Sequence, residues 1–95
     1  MSQRRFKFRL YIAGNAHNST LAVANLTTFC RQHLANKHDL QVVDVLREPE
    51  LALADSVLMT PMLLILSPLP RCRIVGSLNE PALLLRTLGL EPLAA

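Results

Sequence analysis

Two cysteines, three histidines and one basic segment are the side chains with most chemistry to offer in this chain. Cys30 and Cys72 lie too far apart for a CxxC pair or a zinc knuckle. Dithiol redox catalysis needs a low-pKa thiolate at a helix N-terminus, where the dipole stabilises it. The corresponding segment here, Asn15-Ala16-His17-Asn18, contains no sulfur. Cys30 falls in mid-helix on an apolar stripe and reads as a small core residue. Cys72 stands between Arg71 and Arg73, so a redox or stress-response role would run through it; the competing reading is an incidental cysteine in a surface turn. His17 has no nucleophile partner, and Ser19 is better explained as a helix cap. His33, His38 and Asp39 match no standard metal-ligand spacing. Asp44 sits in an apolar strand and either hydrogen-bonds at the sheet's end or marks a contact surface. Gly14, Gly76 and Gly89 are isolated, so no phosphate-cradling loop exists. No catalytic residue, cofactor or metal is expected.

Composition narrows the class further. The 95 residues fit a single domain, 1–95, which buries only roughly 60–65% of its unfolded surface. Hydrophobic residues make up 51% and charged residues 18%, which excludes a disordered chain. So much leucine on a thin core predicts a homo-oligomer, with the last helix in the interface. Few cysteines favour a reducing, cytoplasmic setting. Thr60, Pro61 and Ser67 interrupt the longest apolar run, so no membrane span is expected. Arg4, Arg5, Lys7 and Arg9 hold four of the ten basic residues. A net charge of +3 is too mild for a nucleic-acid footprint, and such charges also protect a sheet edge.

Periodicity supplies the elements that must position these groups. Phe6, Phe8, Leu10 and Ile12 alternate with Lys7, Arg9, Tyr11 and Ala13, the period of a strand. Asn18 or Ser19 is placed to cap a helix whose stripe runs through Val23, Leu26, Cys30 and Leu34, stopping near Asn36. Leu40 to Leu46 reads as a strand buried on both faces except at Gln41 and Asp44. Pro49 suits the first turn of a short helix to about Val57, with Leu51 and Ala54 inward. Met62 to Leu66 and Arg73 to Val75 are strands around a proline-rich turn, Ser67 to Pro70. Asn79 is placed to cap a last helix that opens at Pro81 and carries Leu83, Leu84 and Leu88. The order β-α-β-α-β-β-α predicts an α/β thioredoxin-like fold, a mixed four-stranded sheet with three helices. Thr60-Pro61 stands where that fold places a cis proline, before the third strand.

At this point an ordered series of residues resembles the KaiB circadian clock proteins. Leu10-Tyr11-Ile12-Ala13-Gly14-Asn15 with Asn18-Ser19 is similar to that family's first strand and helix start. Val43-Asp44-Val45-Leu46, Pro49, Leu51-Ala52, Asp55, Leu58, Thr60-Pro61, Leu63, Pro68, Pro70, Arg73 to Gly76 and Leu78 continue the match. The resemblance implies a noncatalytic protein that binds the KaiC ATPase ring and helps sequester KaiA in a rhythmic process. A similar thioredoxin-like domain senses KaiC at the front of a clock-associated histidine kinase. The implied docking face spans the first helix, second strand and second helix, with Gln41, Asp44, Glu48 and Ser56. Clock members tend to be basic where this chain has Leu21, Gln41 and Ser56, so it is a divergent member by resemblance, and complementary charge governs partner choice.

The resemblance also implies fold switching, between an oligomeric ground state ending in a strand and a thioredoxin-like, KaiC-binding state with a helix before the end. Here Gly89, Pro92, Ala94 and Ala95 are poor strand formers, while Pro81 to Leu88 favours helix. A resting thioredoxin-like state is therefore expected, because local preferences agree with one fold.

Overall fold

The computed structural model describes residues 5–90. Its elements are β1 (Phe6–Ile12), α1 (His17–His33), β2 (His38–Asp44), α2 (Pro49–Ala54), β3 (Met62–Ser67), β4 (Cys72–Val75) and α3 (Pro81–Thr87). The sheet order is β2-β1-β3-β4. The crossover through α1 makes β1 and β2 parallel, whereas β1–β3 and β3–β4 are antiparallel. This is the expected mixed sheet.

Alternation in β1 decides the layers. Phe6, Phe8 and Leu10 point to one face and bury against Leu26, Phe29, Cys30 and Leu34 of α1 and its end, with Leu84 and Leu88 of the last helix region. Tyr11 points to the other face, where a smaller cluster gathers Val43, Ala52, Met62 and Leu64 under α2. Gly14 turns the chain out of β1 at φ +54°, and Gly76 leaves β4 at φ +119°, conformations that a side chain disfavours.

Several expectations need correcting. Neither Asn18 nor Ser19 caps α1: the N-cap is Ala16, with no side-chain cap bond. Ser19 is buried inside the first turn, where its Oγ accepts the Ala13 N–H at 3.1 Å. Asn79 does not cap α3, whose N-cap is Glu80, although Pro81 does open the helix. In both places the chain enters the helix one or two residues away from the polar side chain suited to the task. α1 ends at His33, because Leu34 drops into the core as its C-cap and Asn36 takes φ +62°.

β2 starts and ends two residues earlier than expected, because its register with β1 pairs Phe6 with His38 and Ile12 with Asp44. It is an edge strand rather than one buried on both faces: Val42 is 42% exposed and Leu46, beyond its end, 72%. On α2, Ala52 faces inward and Ala54 is exposed. On α3, Leu84 is buried but Leu83 is not. The Thr60–Pro61 bond is cis, as are Ser67–Pro68 and Leu69–Pro70. The readings made at Arg4, Pro92, Ala94 and Ala95 lie outside the described residues.

Candidate functional site

Parallel and antiparallel pairing bring four connections to one end of the sheet. The C-terminal ends of β1, β2 and β4 meet the N-terminal end of β3 there. Gly14 and Asn15, residues 45–48, residues 56–61 and Gly76 therefore share one rim. Two contacts hold it together. The Gly76 N–H donates to the Pro61 carbonyl at 3.0 Å, and the Val45 N–H donates to the Ile12 carbonyl at 2.8 Å.

Asp44 is a brace for this rim. Its Oδ1 accepts the Leu46 N–H at 2.9 Å and the Gly14 N–H at 3.0 Å. These two backbone donors, Leu46 first, hold the carboxyl below the usual carboxylate range, with Arg47 adding to the effect. Hydrogen bonding at the sheet's end, one of the two readings open for Asp44, is present. Glu48 is exposed at the N-cap of α2 and lines an open groove with Asp44, Asn15, Val42 and Arg47.

Gln41 lies on the opposite face of β2 from Asp44, three residues away in a period-two strand. Its Oε1 accepts the Arg9 Nε–H at 2.9 Å. Ser56 is exposed at φ +56°, and its carbonyl accepts the Arg73 guanidinium at 3.3 Å. The four residues thus form two pairs: Asp44 with Glu48 in the groove, and Gln41 with Ser56 on the α2 side. Leu21 is 39% exposed on α1.

Between Gln41 and Ser56 lies a polar network that the sequence reading did not single out. Arg9 Nη1 donates to Asp55 Oδ2 at 2.8 Å, and the Tyr11 hydroxyl donates to that same oxygen while lying 3.2 Å from the Leu51 carbonyl. The Tyr11 phenol and Arg9 hold Asp55 below its ordinary range, while burial, with Asp55 beside it, pushes Tyr11 up to about 12. The available signal was the alternation itself, which puts Arg9 and Tyr11 on one face.

Cys30, Cys72, His33 and His38 stay apart from this rim, whereas His17 opens α1 just beyond Asn15. Burial pushes the Cys30 thiol up to about 11, the opposite of an activated nucleophile. Cys72 is a half-buried free thiol at the start of the edge strand β4. His33 stacks on Phe29 with ring centroids 4.7 Å apart, and His38 Nδ1 lies 2.9 Å from the Leu34 carbonyl. Among the described residues no three His, Cys, Asp or Glu side chains gather to hold a metal ion. Among them, too, no helix is long and apolar enough to cross a membrane.

The family model described as the KaiB domain matches residues 9–90. The chain belongs to the KaiB family. It is 33% identical over 92 residues to the circadian clock protein KaiB3 of Synechocystis sp., covering 97% of this chain and 90% of that protein. It is 40% identical over 81 residues to the circadian clock oscillator protein KaiB of Synechococcus elongatus, covering 84% and 79%. Its fold is similar to the N-terminal domain of Synechococcus elongatus SasA, with a TM-score of 0.77 at 17% identity, covering 100% and 92%. Mitochondrial thioredoxin 3 of Saccharomyces cerevisiae superposes with a TM-score of 0.72 at 16% identity, covering 92% and 79%. The thioredoxin-like fold is therefore present in a KaiB-family chain.

Proposed function

We propose that this KaiB-family chain is a noncatalytic clock or signalling protein that docks on a KaiC-type ATPase. One observation carries the reading. Around α2, on and beside the rim that holds Asp44, Glu48 and Ser56, Leu46 is 72% exposed, Leu53 77%, Leu58 92% and Met59 63%. A small domain leaves so much large apolar surface uncovered where a partner covers it. The surface also accounts for the departures from basic residues at Leu21, Gln41 and Ser56. Where charge is missing, apolar burial at about 25 cal/mol per Å² supplies the affinity.

The partner surface then comprises Gln41, Asp44, Glu48 and Ser56 as polar surroundings and Leu46, Leu53, Leu58 and Met59 as anchors. Co-elution of the chain with a KaiC-type ATPase from the same cells tests this. Complex formation that fails for a Leu53→Asp, Leu58→Asp variant is expected; undiminished binding by that variant contradicts it. A homo-oligomer in a reducing, cytoplasmic setting belongs to the same proposal, and light scattering at micromolar concentration tests the assembly. The redox alternative through Cys72 has weaker support, because the start of α1 has no thiol to pair with it. Insulin reduction abolished by Cys72→Ser would reverse that preference.

A further inference from the structure

Helices cover the two sheet faces unequally. One face lies under the 17-residue α1 together with α3. The other carries α2 alone, six residues long. At 1.5 Å per residue such a helix reaches about 9 Å. β1 has seven residues and extends over roughly 23 Å at about 3.3 Å each. α2 lies over the Tyr11, Val43 and Met62 end. Among the described residues no helix covers the other end.

That bare half is a lane with charged borders. Along one side run Lys7 and Arg9 of β1; along the other runs Arg73 of β4, with Arg71 just before it. Between them on β3, Leu64 is buried under α2 and Leu66 lies beyond it; the register pairs Leu64 with Arg9 on one side and with Arg73 on the other. Strands stand about 4.8 Å apart, so the β1 and β4 backbones on either side of β3 are separated by about 10 Å, close to the width of one α-helix with its side chains. Leu66 is half-buried and adds an apolar floor.

The charges here are not balanced. Arg5 pairs with Asp39 and Arg9 with Asp55, each within 2.8 Å. Lys7 and Arg71 make no close side-chain hydrogen bond or ion pair among the described residues, although Lys7 is near enough to Asp39, and Arg71 to Asp55, to help hold those carboxyls low. Arg73 directs its guanidinium to the Ser56 carbonyl and the Met62 sulfur, not to a carboxylate. Among the described residues, Arg5, Lys7, Arg9, Arg71 and Arg73 stand here against Asp39 and Asp55, in a chain whose net charge is +3.

We infer that this lane docks an acidic helix of a protein partner, lying beside α2 as the missing member of that helical layer. Its carboxylates meet Lys7, Arg71 and Arg73, and an apolar side chain rests on Leu66. A second copy of the chain is disfavoured, since it would bring like charges together. Nucleic acid is disfavoured because Phe6, Phe8, Tyr11 and Phe29, the chain's only aromatic residues of the Phe, Tyr and Trp types, are all buried and offer no stacking platform. This surface does not include the exposed leucines of the KaiC-type proposal, although it adjoins Ser56, whose carbonyl accepts the Arg73 guanidinium.

Fluorescence anisotropy with the full chain tests the inference. The probe is a short labelled peptide with Glu and Leu at helical spacing, beside its Gln-for-Glu counterpart and a single-stranded oligonucleotide. Expected are binding of the acidic peptide that weakens with added salt, and a loss of about tenfold or more in a Lys7→Glu, Arg71→Glu variant whose circular dichroism is unchanged. Leu53→Asp should leave peptide binding intact. No binding, equal binding of the Gln peptide, equal or tighter binding of the oligonucleotide, or indifference to the Lys7 and Arg71 changes would each overturn it.

Discussion

Replacing Asp55 by Ala removes the acceptor on which Arg9 and Tyr11 converge. The Asp55 side chain retains 14% of its exposure and that of Arg9 23%, so the pair is largely but not wholly shielded from solvent. A hydrogen bond to a charged group contributes about 1.5–3 kcal/mol, and residual exposure discounts two such bonds. After the change Arg9 keeps Gln41 and Tyr11 keeps the Leu51 carbonyl, which limits the damage. The expected destabilisation is about 2–3 kcal/mol, or roughly 8–24 °C in Tm for a domain of this size. Asp55→Asn, which still offers an acceptor to Tyr11, should cost about half as much.

Urea unfolding followed by circular dichroism measures both variants, and pH adds a second axis. A carboxyl with a depressed folded pKa gives stability present above its unfolded value, near 4, and lost as pH falls through the folded value. The gap between wild type and Asp55→Asn should therefore narrow in acid below about pH 4. If Asp55→Ala stays within about 0.5 kcal/mol of wild type at neutral pH, or the gap widens in acid, the network argument is refuted.

Three further outcomes are expected. Tyr11 has its folded pKa raised to about 12, so wild type should lose stability as pH climbs from about 10 towards 12. Alkaline unfolding curves of Tyr11→Phe should lack that component. Leu26→Ala, at a fully buried α1 position, should cost about 2–5 kcal/mol in chemical denaturation. Asp44→Ala should speed amide exchange at Gly14 and Leu46 relative to strand-centre amides such as Leu10, and equal exchange in both proteins would remove the bracing role.

The parts of the fold legible in the sequence are those set by local periodicity. Alternation from Phe6 to Ile12, the apolar run from Met62, and prolines at the first turns of α2 and α3 each point to one element. What depends on position in the sheet was not legible. β-branched residues in β2 do not say that it lies at an edge, so Val42 reads as buried until its missing neighbour is seen. At the first cap the cause is local: the Ser19 hydroxyl accepts the Ala13 N–H of the preceding turn instead of capping α1. At the candidate site, the division of Gln41 from Asp44 follows from strand period alone. The convergence of Arg9 and Tyr11 on Asp55 spans more than forty residues of sequence and leaves no local trace.

The most direct measurement is a backbone NMR assignment of the free chain followed by titration with a KaiC-type ATPase. The account predicts helical shifts from Pro81 to Thr87 before any partner is added, since the thioredoxin-like arrangement is proposed as the resting one. It predicts that the partner broadens the amides of Leu46, Leu53, Leu58 and Met59 first. Strand shifts across Pro81 to Thr87 in the free protein, or broadening that spares those four residues, would contradict it.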